Sequence, residues 1–92
     1  MMGDWVGVWS ATGANLSFSV DAKGVVASPG KQVQIKTVDG RHFVIWERVH
    51  QNLELIPSGD RLIALGYTAN HGGKQLDPLK DRPDFVAILY RR

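Results

Sequence analysis

The sequence predicts an all-β fold: a small, eight-stranded antiparallel up-and-down meander that closes as a barrel. Three observations carry this. Apolar and polar residues alternate with a period of two in segment after segment, which is the pattern of strands with one wet face. The connections ATGAN, AKG, SPGK, DG, HQ and PSGD are short and rich in turn residues, so neighbouring strands pair antiparallel. No segment sustains a helical period, which leaves no crossover helices and makes a meander the economical topology. Closure follows because eight strands left as an open sheet would present two sheet edges to other chains.

The elements follow in order. WVGVWS (5–10) is the first strand, with Trp5, Gly7 and Trp9 on one face. Gly7 leaves a gap between the two indoles for a neighbouring side chain, and both rings are expected in the core, the alternative being that one lines a ligand pocket. In LSFSVDA (16–22), Leu16, Phe18 and Val20 alternate with Ser17, Ser19 and Asp21. GVVAS (24–28) follows, then KQVQIKT (31–37), where Val33 and Ile35 oppose Gln32, Gln34 and Lys36. RHFVIWERV (41–49) is assigned with Phe43 and Ile45 inward and Val44 and Trp46 outward. NLELI (52–56) turns Leu53 and Leu55 inward, and Pro57 is expected to end that strand by withholding a ladder donor. RLIALGY (61–67) and DFVAILYR (84–91) are apolar on both faces. Their inward residues include the small Ala64, Gly66 and Ala87, which leave room on that side.

One connection departs from the rest. TANHGGKQLDPLKDRPD (68–84) is long, polar and punctuated by Gly72-Gly73, Pro78 and Pro83, with a short helical turn possible around Leu76 to Leu79. Loops of this length in small domains are usually functional or mobile, so it is expected to border the binding site.

Composition narrows the function classes. Ninety-two residues suit a single domain, and 43% hydrophobic with 22% charged residues is ordinary for a globular chain. No apolar run approaches the ~18 residues of a membrane span. The opening MMGDWVGVW lacks the basic start and unbroken apolar stretch of a signal peptide, and the compartment stays open between cytoplasm and export with a leader removed. The absence of cysteine rules out disulfides, thiolate metal sites and a cysteine nucleophile. Eleven basic against nine acidic residues, interspersed apart from Arg91 and Arg92, make nucleic acid an unfavoured partner.

Gly3-Asp4-Trp5, repeated as Gly7-Val8-Trp9, resembles the Gly-x-Trp motif on the first strand of lipocalins and related calycin barrels. The resemblance implies that the Trp plugs one barrel end with an Arg near the last strand stacked across it, a part that falls to Arg91 or Arg92. It also implies binding of small apolar or amphipathic molecules. The chain is shorter than typical lipocalins, and strands of five to eight residues span only ~17–26 Å, which shortens any ligand cup.

The expected function is therefore a non-catalytic binding module with its ligand at the barrel mouth near residues 68–84. The expected ligand-binding residues are Trp46, Glu47, Tyr67, His71 and Tyr90. Glu47 shares the phase of Phe43 and Ile45: facing inward it must be paired or protonated, and at a strand end or bulge it is solvated or paired with an Arg. His42 and His50 would lie ~26 Å apart in one straight strand, too far to share a metal, and His71 with Asp77, Asp81 or Asp84 matches no recognised ligand spacing. No catalytic residue, metal or cofactor is assigned. The alternatives are a protein-interaction or inhibitor module acting through an apolar outer face or the 68–84 loop, and a small barrel enzyme using Glu47 or a loop residue. The two-sided apolar strands place Val44, Trp46, Ile63, Leu65, Val86 and Ile88 opposite the core face, which points to a homodimer.

Overall fold

The computed structural model of the chain describes residues 1–28, 31–45, 52–67 and 80–92. Among these residues, nine strands lie in one antiparallel sheet: β1 (Gly3–Trp9), β2 (Asn15–Val20), β3 (Val25–Ser28), β4 (Lys31–Gln34), β5 (Lys36–Val38), β6 (Arg41–Val44), β7 (Asn52–Ser58), β8 (Arg61–Tyr67) and β9 (Phe85–Arg91). The order across the sheet is β4-β3-β2-β1-β9-β8-β7-β6-β5. Its two outermost strands are thus consecutive in sequence and separated by Ile35 alone. The expected single strand over 31–37 is present as these two pieces: β4 pairs with β3, and β5 pairs with β6. At the break the Ile35 amide donates to the Gly24 carbonyl at 2.9 Å. The sheet therefore curls into a nearly closed barrel, with β1 and β9 joined in register from Trp5 opposite Arg91 to Trp9 opposite Ala87.

Turn chemistry sets the hairpins. Between β5 and β6, Asp39 (φ 53°) and Gly40 (φ 75°) form a two-residue connection with both central residues left-handed, the geometry whose twist matches the flanking strands. Pro57 does not end β7, which runs on to Ser58. It falls where β7 has become an edge, because β6 pairs with β7 only as far as Leu55, so the missing N–H is tolerated.

The interior is filled by large side chains from all around the barrel. Trp5, Trp9, Phe18, Val20, Val26, Val44, Leu53, Leu55, Leu62 and Leu89 are all buried in one cluster. The gap left by Gly7 is taken by Leu89, whose Cδ2 lies 2.8 Å from where a Cβ on Gly7 would stand. Gly66 opens no cavity, because the Trp9 ring comes within 2.9 Å of the corresponding position there and packs edge-on to Phe85.

The phase of β6 is the reverse of the expected one. Val44 pairs with Leu53 and joins the interior cluster, whereas Phe43 pairs with Glu54 on the outside. Phe43 and Tyr67 are nonetheless fully buried, forming a second apolar cluster with Val38, Ile45 and Leu65 on the outer face of β5, β6 and β8. Alternation could not separate the faces here because both are apolar.

Candidate functional site: a barrel-end recess and a buried ion pair

The outer cluster surrounds a charge. Glu54, in phase opposite Leu53 and Leu55, is only 5% exposed. Hairpin register carries Arg41 to it: Arg41 Nε donates to Oε2 at 3.0 Å and Nη2 donates to Oε1 at 2.8 Å, a two-pronged contact. The Tyr67 hydroxyl donates to the same Oε1 at 3.0 Å and accepts from Arg41 Nη2 at 3.2 Å. The Arg41 guanidinium also stands 5.0 Å from the centre of the Phe43 ring. These hydrogen bonds, those of Arg41 first, hold the Glu54 carboxyl below its ordinary range against the opposing pull of burial. Burial, followed by the neighbouring carboxylate, pushes the Tyr67 phenol up to about 12. Arg41 is held still more firmly protonated, chiefly by its hydrogen bond to Glu54. A carboxylate with both oxygens engaged and its proton disfavoured is poorly suited to acid or base catalysis. The trio acts instead as a clasp joining β6, β7 and β8.

The second arrangement lies at the barrel end where β1 begins. On one side that end is sealed. The Arg91 guanidinium stacks over the Trp5 ring at 4.7 Å, Arg91 Nη1 donates to the Met2 carbonyl at 2.7 Å, and Trp5 Nε1 donates to the Met1 carbonyl at 2.9 Å. Gly3 makes the approach possible: its φ is 141°, and a Cβ there would stand 2.7 Å from Arg91 Nη1. On the other side, where the ladder changes partner at Ile35, a recess of about 560 Å³ opens. Met1, Met2, Val20 and Ile35 supply its apolar lining, and Asp21, Lys23, Gln34, Thr37 and His42 its polar one. This volume falls within the usual range for small-molecule sites, about 300–1,000 Å³. His42 reaches it because the reversed phase of β6 turns it to the same side as its pair partner Leu55.

A third feature is the outer face of β1, β9 and β8. Val8, Val86, Ile88 and Tyr90 are exposed there, joined through the register pairs Val8–Ile88 and Ile63–Ile88. Val44, expected on this side, belongs to the interior, and Ile63 and Leu65 are half-buried.

Of the expected ligand-binding residues, Trp46, Glu47 and His71 lie outside the described residues, as do residues 68–79 of the long connection. Tyr67 and Tyr90 are not brought together. Tyr67 is 1% exposed and bonded into the clasp, while Tyr90 is exposed beside Arg61, its ring 4.9 Å from that guanidinium. Arg61 and Tyr67 are the two ends of β8, about 20 Å apart at strand rise. Sequence reasoning passed over Glu54, Lys23 and Thr37. Glu54 did leave a signal, a charge between Leu53 and Leu55 amid strands apolar on both faces. Among the described residues no group of three or more His, Asp or Glu side chains is placed to hold a metal ion, and no helix is long and apolar enough to cross a membrane. Comparison with protein-family models, with curated proteins and with solved structures finds no match, so the function rests on this geometry alone.

Proposed function

We propose that the chain is a non-catalytic binding module of lipocalin-like plan, taking a small apolar or amphipathic molecule. The lipocalin-like part is supported by the Arg91 stack over Trp5 on a Gly3-x-Trp5 strand. The observation that carries the binding reading is the recess beside Ile35, which joins apolar walls to a few polar groups. It lies at the barrel end opposite the one where residues 68–84 connect β8 to β9. Titration with the neutral fluorophore N-phenyl-1-naphthylamine tests it. Saturable, blue-shifted emission that disappears in Ala22→Trp, a substitution at an exposed position of the recess wall, is the expected result. Emission that is linear in protein, or equal in the variant, counts against the recess.

A second reading is association of two copies through the exposed stripe of Val8, Val86, Ile88 and Tyr90. A self-complementary apolar patch about a twofold axis is the commonest route to a homodimer. Sedimentation of wild type and Ile88→Lys decides: a dimer converted to a folded monomer supports it, and a wild type monomeric at high micromolar concentration removes it.

A further inference from the structure

The polar groups around the recess differ in what they have left to offer a ligand. Asp21 is already engaged, its Oδ1 accepting from the backbone N–H groups of Lys23 at 2.8 Å and Val25 at 2.9 Å. Gln34 is engaged as a donor, with Nε2 given to the Lys23 carbonyl at 2.8 Å. His42 has Nδ1 against Thr37 Oγ1 at 3.1 Å, which leaves Nε2 for another partner. Lys23 makes no ion pair among the described residues. Among the described residues the uncommitted rim chemistry is therefore a cation, an imidazole nitrogen and two acceptor oxygens, Asp21 Oδ2 and Gln34 Oε1, alongside the apolar lining of Val20 and Ile35; Lys23 is the one side chain in it with a full positive charge.

Resting on the reading of the recess as a ligand site, we propose that its ligand is an amphipathic anion: a carboxylate-type head held by Lys23, with His42 Nε2 as second partner, and a short apolar tail along Val20 and Ile35. Asp21 sets the limit on this attraction. Its charge stands two residues from Lys23 and repels the same head, while its Oδ1 is needed for the turn.

Calorimetric titration with decanoate and with decanol separates head from tail. Decanoate is expected to bind about tenfold more tightly, the worth of one charge-assisted hydrogen bond. Lys23→Ala brings decanoate to the level of decanol. Asp21→Asn, which keeps the turn acceptor but removes the charge, tightens decanoate. Neither substitution moves decanol, and added salt weakens decanoate alone. Equal binding of the two probes to wild type, or decanoate affinity unchanged in Lys23→Ala, overturns the head assignment and leaves the recess standing. Failure of both probes to bind overturns the recess itself, and the head assignment with it.

Discussion

Among the described residues, Glu54 and Tyr67 are expected to shape how the fold answers to pH. Glu54 has its carboxyl lowered in the folded chain relative to an unfolded value of ~4.3, so its contribution to stability is complete above about pH 5 and drains as pH falls through the folded value. Tyr67 runs the other way. With its phenol at about 12 when folded and ~10 when unfolded, its contribution is complete below about pH 10 and is lost as pH rises through 12. Denaturant midpoints across pH are expected to fall at both ends. Glu54→Gln, costing about 1–3 kcal/mol at neutral pH, should flatten the acid limb, and Tyr67→Phe the alkaline one. A Glu54→Gln acid limb as steep as that of wild type would show that other carboxylates govern it. The tryptophans belong to this scale as well. Trp5 is 2% and Trp9 5% exposed, and either replaced by Ala should cost about 3–5 kcal/mol in denaturant titration. Their burial was legible because Trp5, Gly7 and Trp9 alternate on one strand. The partner of Glu54 was not, because Arg41 stands thirteen residues away and only hairpin register brings them together.

At the scale of elements, strands with one wet face were read correctly, as were the faces of the two-sided β8 and β9, whose Leu62, Ala64, Ala87 and Leu89 are buried; the two-sided β6 was not. In β2 the serines mark the outside, so Phe18 and Val20 could be placed inward, as they are. In β6 the residues Phe43 and Val44, followed by Ile45, carry no such mark. A one-residue change of phase exchanges its faces, and tertiary packing chose the phase that gives Val44 to the interior. The consequence is measurable. Phe43→Ala should destabilise by about 3–5 kcal/mol and Val44→Ala by about 1–3 kcal/mol, since both faces of β6 are buried. A negligible loss at Phe43 would show that the outer cluster adds little to stability. The break at Ile35 was equally hidden: Val33 and Ile35 keep perfect alternation across a point where the strand changes neighbours, and pairing partners leave no trace in a period of two.

For the molecule as a whole, the nearly closed barrel was legible, because short turns between alternating segments admit few topologies other than a meander. The recess was not. It forms where β2, β4, β5, β6 and the first two residues converge, a juxtaposition that depends on how the sheet curls rather than on any local pattern. Curling also governs how the chain folds. The hairpins are local, but the β1–β9 pairing sets Trp5 against Arg91 and must close nearly the whole chain. Folding is therefore expected on the slower, millisecond-to-second side, as for other barrels with non-local pairing. Stopped-flow tryptophan emission checks this, with Arg91→Ala changing chiefly the unfolding rate if the closure forms after the transition state.

The same β1–β9 pairing has a consequence for chain connectivity. Arg92 donates its amide to the Asp4 carbonyl at 2.9 Å, so the first and last strands are neighbours in the ladder just as hairpin partners are. The barrel then has no privileged starting point. A circular permutant that bridges Arg92 to Met1 with a short Gly-Ser linker and is cut between the exposed residues Gly59 and Asp60 should assemble the same sheet. Its far-ultraviolet spectrum should match that of the parent. Its emission maximum should also be unchanged, since Trp5 would still be covered by Arg91.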